Sequence, residues 1–463
     1  MSSCSAEAKL VICYEELFET ASAIEKIITD GLHPMMPMMH ALFPHCRSLT
    51  GDGVRTTLDA VGQMIPLQRE QVPSGTKCFD WEVPREWNIR DAWVKNSQGQ
   101  RIIDFNETNL HVVSYSQPVH AFMGLEELQQ HLHSLPDQPN AIPYRASYYN
   151  EAWGFCLTHE ERQKLVEDRY EVFIDSTLEP GVLDYGQCQL GGRETDEIFF
   201  STYICHPSLA NDQLSGIVLL AHLMSIVKSL STRRYTYRAV FAPETIGVIA
   251  FLSEYAKTIQ ASMSAGYVVT CVGDDGPFTY VRSKRAKTAA DKAAEHAIRH
   301  VAREHDRVHS IREFDPVGSD ERQYCSPGLN LPVGSLMRSR YGEFPEYHTS
   351  LDNLSFVSEA GLNLTLEAYL RIVQVHELNC LPLRTNPYCE PQLGKRGLYS
   401  QFVSSGIADF HTKILNLLSF ADGEHDLVDI AERMNVPVWT LAEPLRRLVE
   451  ADLVKLDCTI SAG

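Results

Sequence analysis

Residues Glu197-Ile198-Phe199-Phe200-Ser201-Thr202-Tyr203-Ile204-Cys205 form a near-continuous apolar run. A strand covered on both faces loses the alternation of a half-exposed one and reads this way. Outward from it, Ser215–Leu230 has the apolar density of a helix, Tyr237–Ala242 of a strand, Gly247–Thr258 of a helix, Gly266–Gly273 of a strand and Thr288–Glu304 of a helix. Strands alternating with helices predict an α/β sheet with helices on its faces. In such sheets the chemistry sits at the carboxyl ends of the strands, so those positions are the ones to inspect.

On the amino-terminal side, residues 16–72 read as helical with a turn at Ser48–Gly53, and Val54–Ile65 repeats apolar residues at helical spacing. Composition changes near Pro73-Ser74-Gly75. Aromatics, prolines and short alternating runs then predict a β-rich module over 76–190, with strands at Asn109–Ser116 and Tyr170–Asp175 and a short helix at Gly124–Ser134. Residues 401–463 hold about three helices, and Asp426–Asn435 followed by Val438–Asp452 resembles a helix-turn-helix or winged-helix unit. The expected domains are 16–75 and 191–385 as two parts of one α/β unit, 76–190 as an insertion, and 400–463 as a winged-helix-like tail.

The chain has 463 residues, 44% hydrophobic and 22% charged, with a net charge of −19. That length implies more than one core. An acidic surface repels phosphate backbones and anionic membranes. The tail carries five Lys/Arg against ten Asp/Glu over residues 401–463, a net of −5, where DNA-binding modules are basic. Nucleic acid and membrane are therefore not expected partners. A small-molecule or peptide substrate is, and homo-oligomerisation stays open. No apolar run matches a membrane span, and Glu7, Glu15 and Glu16 break up any export signal. The twelve cysteines form no Cys-x-x-Cys pair, which suits reduced thiols and a cytoplasmic location.

Four segments at strand ends carry candidate chemistry. In Cys205-His206-Pro207-Ser208-Leu209-Ala210-Asn211-Asp212-Gln213-Leu214-Ser215-Gly216, a buried strand delivers His206 to the sheet edge and Asp212 precedes a helix. An imidazole and a carboxylate so placed suit zinc, while Asp212 or Ser215 equally suits a helix cap. Glu244, in Ala242-Pro243-Glu244-Thr245-Ile246-Gly247, either caps the next helix or serves as general base for a metal's water. Gly318-Ser319-Asp320-Glu321-Arg322 is a charged loop. His348, in Glu346-Tyr347-His348-Thr349-Ser350-Leu351-Asp352, is either a turn histidine or a ligand with Asp352 as its outer partner.

In this order the four segments resemble the zinc aminopeptidase and glutamate carboxypeptidase superfamily, and the whole chain is similar to bacterial aminopeptidase-like proteins with a β-rich insertion and a winged-helix tail. The stretches Asp80-Trp81-Glu82-Val83-Pro84, His131-Leu132-His133-Ser134-Leu135-Pro136 and Tyr203-Ile204-Cys205-His206-Pro207-Ser208 carry the second likeness. The resemblance implies an α/β three-layer sandwich with a mixed sheet and an amide- or peptide-bond hydrolase with zinc as cofactor. Three departures stand out. The family's His-x-Asp is His206-Pro207-Ser208, the second Glu of its pair is Thr245, and its next Asp ligand has only Thr270 near its place, with Asp274 four residues on. One zinc held by His206, Asp212 and His348 is expected, with Asp274 as a further ligand. Glu244 is the expected base, Tyr347 an aid to the oxyanion, and Tyr144, Tyr148 and Trp153 an aromatic substrate wall. Arg322 and Arg340 either bind a substrate carboxylate or sit in structural ion pairs. The missing ligands leave a second reading, a non-catalytic binding scaffold on a peptidase fold.

Overall fold

The computed structural model describes residues 6–398 and 405–457. Three helices lead: α1 (Ala6–Asp30), α2 (Met36–Leu42) and α3 (Asp52–Met64). The helical reading of 16–72 holds only to Met64, because β1 (Gln68–Pro73) is a strand. Its sequence is polar because it lies at the edge of the main sheet, paired antiparallel on one side only.

The chain then leaves this sheet to build the insertion. β2 (Glu86–Lys95), β3 (Arg101–Asp104), β4 (Val119–Gly124) and β5 (Arg169–Glu179) form an antiparallel sheet in the order β3-β2-β5-β4. Ala92, Val94, Met123, Phe155 and Val172 fill its core. The expected strand at Asn109–Ser116 is a short 3-10 turn over Asn109–His111 followed by irregular backbone. Leu110, Val112, Val113 and Tyr115 are buried there, so the alternation reflected a loop packed under the insertion. The helix expected at Gly124–Ser134 is shorter, Leu125–Gln129.

β6 (Val182–Leu190) returns to the main sheet, although sequence placed it in the insertion. The expected alternation follows: β7 (Glu197–Tyr203), α4 (Gly216–Ser229), β8 (Thr236–Ala242), α5 (Ile246–Ser262), β9 (Met263–Val269), β10 (Phe278–Val281), α6 (Ala289–Glu304), β11 (His309–Arg312), β12 (Val333–Met337) and α7 (Glu359–Leu378). The eight strands lie in the order β1-β6-β8-β7-β9-β12-β10-β11. Pairings β8–β7, β7–β9, β9–β12 and β10–β11 are parallel and the rest antiparallel, so the sheet is mixed.

Alternate residues of β7 face opposite layers, as the two-residue strand period requires. Phe200 packs with the layer of α1, α3, α4, α6 and α7, and Phe199 packs with α5. Ala210–Ser229 is long and apolar enough to cross a membrane, but 83% of its most apolar eighteen residues are buried between sheet and helices. β7 is the switch point: its successor β8 lies on one side and β9 on the other, which opens a crevice at the strand ends.

The tail begins earlier than 400. β13 (Leu381–Arg384) pairs antiparallel with β14 (Val454–Asp457), and α8 (Ser405–Phe420), α9 (Leu427–Met434) and α10 (Ala442–Glu450) lie between them. This unit docks on α6. Lys292 meets Asp426 at 2.7 Å and Asp429 at 2.6 Å, and His296 Nδ1 meets Glu432 at 2.5 Å. Val438 N–H donates to His296 Nε2 at 2.9 Å.

Candidate metal centre and cleft

β7 ends at Tyr203, and two buried residues on it delivers His206 into the crevice. The chain then makes one wide turn, Ala210–Ser215, before α4 begins, and Asp212 leaves helical geometry inside it at φ −106° and ψ 78°. Wide turns of this kind gather at functional sites. Asp352 fixes this turn by accepting the Asn211 N–H at 2.6 Å and the Asp212 N–H at 2.8 Å. The expected role of Asp352 as partner of His348 is thus corrected: its carboxylate is used on the backbone that carries Asp212. Burial pushes that carboxyl up to about 7.

His206, Asp212 and His348, far apart in sequence, offer ligand atoms that all lie within 4.8 Å of one another. His348 Nε2 is 3.0 Å and His206 Nε2 4.0 Å from Asp212 Oδ2. The two imidazole centroids are 5.3 Å apart. Asp212 Oδ2 and His348 Nε2 are buried, and neither makes a well-aligned hydrogen bond with a described residue, although Asp212 acts on His348 electrostatically. Two donor atoms held this close in a buried crevice fit a shared cation. In tetrahedral zinc, bonds of about 2.0–2.2 Å put neighbouring donors roughly 3.3–3.6 Å apart. The donor set fits zinc.

The electrostatics favour the ligand forms of His206 and Asp212, while His348 favours a cation at its ring, a proton or a metal. Burial drives His206 down to about 4, which keeps it neutral. Burial would raise Asp212, but His206, His348 and the Tyr203 hydroxyl outweigh it and hold the carboxyl below its usual range. Burial would lower His348, and the neighbouring Asp212 raises it instead. Glu244 stands just beyond, with Oε2 4.0 Å from His206 Nε2. Burial and then the Asp212 charge push Glu244 up to about 7. A bound dication would pull it back towards the carboxylate form.

Three residues outside the predicted site shape this centre. Tyr203 donates to Asp212 Oδ1 and lies 2.8 Å from Thr270 Oγ1. In the sequence it belongs to a stretch that carries the resemblance, with no role at the site, and its place at the end of β7 is what brings it there. Cys205, read as a small buried hydrophobe, has its Sγ 3.4 Å from His206 Nδ1 and accepts the Glu244 N–H at 3.3 Å. Arg47 is fully buried, and its Nε donates to the His206 carbonyl at 2.9 Å.

Asp274 is not part of the cluster. Its carboxylate accepts from Asn211 Nδ2 at 2.9 Å and Ser339 Oγ at 2.7 Å, tying two loops together. Arg340 is held by Asp315 at 2.6 Å and Glu343 at 2.9 Å, the structural alternative of its two readings. Arg322 donates to Thr245 Oγ1 at 2.9 Å and to the Gly318 carbonyl, so its charge is turned towards its own loop. Trp153 stacks on His131 at 3.6 Å and packs in the insertion core, away from the two imidazoles.

Tyr144 and Tyr148 do reach the centre. The Tyr144 ring lies 5.1 Å from His206 and 5.3 Å from His348, and the two tyrosine hydroxyls meet at 2.7 Å. Tyr347 stacks on His348 with centroids 4.0 Å apart. The strand-like stretch carrying Tyr144 is stitched to the His348 loop. Tyr144 N–H donates to the His348 carbonyl at 2.8 Å, Ser350 N–H to the Ile142 carbonyl at 2.9 Å, and Ile142 N–H to Ser350 Oγ at 3.0 Å. Beyond them opens a cleft of about 670 Å³ whose lining includes Asp137, Tyr144, Arg145, Glu343, Tyr347 and His348.

Residues 36–379 match the family model described as a domain of unknown function (DUF4910), and residues 381–456 match a winged helix-turn-helix model. A Clostridium acetobutylicum protein named for polysaccharide biosynthesis and for an aminopeptidase-like domain is 46% identical over 420 residues, 90% of this chain and 95% of its own length. A solved structure from Clostridium acetobutylicum, given a peptidase's name, superposes with a TM-score of 0.83 at 43% identity and covers 97% of this chain and 99% of its own. An M28 peptidase precursor from Shewanella amazonensis (TM-score 0.54, 11% identity, 78% of this chain and 97% of its own) shares the fold. So does a zinc aminopeptidase from Bacillus subtilis (TM-score 0.52, 9% identity, 78% and 94%).

Proposed function

The chain belongs to the DUF4910 family, joined to a winged helix, and from that membership and the site geometry we propose that it is a zinc-dependent hydrolase of an amide or peptide bond in a small or peptide-like substrate. One observation carries the reading: Asp212 Oδ2 and His348 Nε2 lie 3.0 Å apart and buried, without a well-aligned hydrogen bond, and His206 Nε2 is 4.0 Å from the same oxygen. His206, Asp212 and His348 would hold the ion, leaving a position open, as catalytic zinc sites do. The chemistry that zinc supplies in such a site is Lewis acidity towards a carbonyl and a water.

The side chains then divide the work. Glu244 takes the proton of the attacking water on its carboxylate and returns it to the nitrogen of the departing amine. Tyr347, stacked on His348, and Tyr144, tilted against His206 and edge-on to His348, keep the imidazoles in place and bulk water away. The cleft between the insertion and the His348 loop receives the substrate. The relative named for polysaccharide biosynthesis supports an amide-bearing sugar as readily as a peptide. The cysteine thiols of the described residues lie outside any disulfide, which supports work in a reducing compartment such as the cytoplasm.

A second reading, a binding scaffold without turnover, draws on Thr245 and Thr270 standing where the resemblance expects ligands. Elemental analysis of gently purified protein, followed by incubation of the zinc-loaded form with aminoacyl p-nitroanilides and N-acyl amino sugars, separates the two. Bound zinc with turnover supports the hydrolase. Bound zinc with every compound left intact favours the scaffold, and a protein that binds no zinc overturns both zinc and mechanism.

A further inference from the structure

Thr245 follows Glu244 directly and sits at φ 63° and ψ −81°. Across it, Ile246 N–H donates to the Glu244 carbonyl at 2.8 Å. Together these make a γ-turn with positive central φ, the rarer and strained of the two forms. A β-branched residue is among the least suited to that region. Such a conformation persists only where its surroundings over-determine it.

The surroundings come from one loop. Thr245 N–H donates to Asp320 Oδ1 at 2.8 Å, and Arg322 Nη2 donates to Thr245 Oγ1 at 2.9 Å. Arg322 Nη1 donates to the Gly318 carbonyl and so closes the loop on itself. Asp320 is fully buried. On the other side, Cys205 Sγ accepts the Glu244 N–H at 3.3 Å, and Ile249 N–H already donates to the Thr245 carbonyl at 2.8 Å to start α5. The residue carrying the carboxylate is thus pinned on one side, and the strained residue after it is gripped through backbone and side chain.

We propose that the Gly318–Arg322 loop is a clamp that holds the Thr245 turn in its strained form and thereby aims the Glu244 carboxylate into the crevice, with Asp320 and Arg322 as positioning residues. If Thr245 relaxed to negative φ, the backbone that orients Glu244 would rotate with it. A misplacement of about 1 Å at a reacting group costs on the order of 10²-fold in rate. The consequence for catalysis rests on Glu244 being the base; the clamp itself does not.

The test uses the full-length protein with three readouts: amide hydrogen exchange of the peptide spanning Thr245 and Ile246, bound zinc, and kcat and KM on whichever amide of the panel above is cleaved. D320A should lose exchange protection at those two amides, keep its zinc, and lose roughly 10²-fold in kcat with KM unchanged. D320N keeps an acceptor for the Thr245 N–H, and should regain protection and most of kcat. If D320A does not fold, R322M gives the same reading in weaker form through the Thr245 hydroxyl contact. Unaltered protection in D320A, or in R322M as its substitute, overturns the clamp. Lost protection in a protein that cleaves no amide at all leaves the clamp standing and sinks the hydrolase.

Discussion

Tyr203 gives its phenolic proton to Asp212 Oδ1, which leaves Oδ2 as the oxygen of this carboxylate without a hydrogen bond and directs it at the crevice for a cation. A second ion bridged through Oδ1 would have to compete with that phenol, which is backed by Thr270 at 2.8 Å.

Metal content should therefore be one zinc per chain. Y203F leaves Asp212 Oδ1 unpaired and loosens its orientation. Zinc affinity should fall about 10–100-fold, the usual cost of losing an outer partner of a ligand, with the stoichiometry still one. Isothermal titration calorimetry of the apoprotein checks both. Two tightly bound ions in the wild type would contradict the reading.

E244Q should retain zinc and lose amide hydrolysis by about 10²–10⁴-fold, the range of a general acid–base contribution. The glutamine keeps the size of the side chain and removes its capacity to take a proton. Elemental analysis beside the rate measurement separates this from a loss of metal. Wild-type turnover in E244Q would remove Glu244 from the mechanism.

Gly216 lies where a Cβ would come within 2.5 Å of the Val269 carbonyl. G216A must push the start of α4, and with it the Asp212 turn, away from β9. Overpacking of this kind costs about 1–3 kcal/mol. Urea denaturation should show that loss, and zinc affinity should fall with it. An unchanged midpoint would mean the contact relaxes without cost.

The tie between tail and α6 should depend on acid. Burial would raise the Glu432 carboxyl, but its hydrogen bond with His296 and the Arg299 charge hold it down at about 2. A depressed carboxyl stabilises the fold fully above its unfolded value near 4.5, and that contribution is lost as pH falls towards 2. The stability gap between wild type and E432Q should be widest above about pH 5 and close on acidification. A gap that widens in acid would reverse the assignment.

The tail should not bind duplex DNA. Helix α10 carries Arg446 and Arg447, and both are engaged by Glu443, with Glu450 also on Arg446. The helix faces α1 across a groove lined by Tyr14, Phe18, Trp439 and Val449. Fluorescence anisotropy with a labelled duplex at low salt should stay flat. A signal that falls with added salt would reveal phosphate contacts.

What could be read from the sequence follows from how each element is covered. β7, β8 and β9 are walled on both faces, so their apolar runs announce them. β1 is a polar edge strand, and nothing local distinguishes Gln68-Arg69-Glu70-Gln71 from helix. The Asn109–Ser116 alternation misled because the whole segment is buried, its polar residues as well as its apolar ones, so the pattern does not mark one exposed and one covered face. The set His206, Asp212, Glu244 and His348 was legible through the resemblance, whose motifs these residues match in order; each segment alone read equally as a cap or a turn. The attachments of Asp352, Asp274 and Arg322 were not, since hydrogen bonds between residues far apart along the chain leave no spacing pattern.

The stitching of Ile142–Tyr144 to His348–Ser350 means that the insertion supplies part of the frame of the centre as well as its roof. Transplanting the insertion from a relative with a different appetite would carry this seam along and disturb the grip on the ion. In this lineage, selection for a new substrate and selection for metal retention would have to travel together.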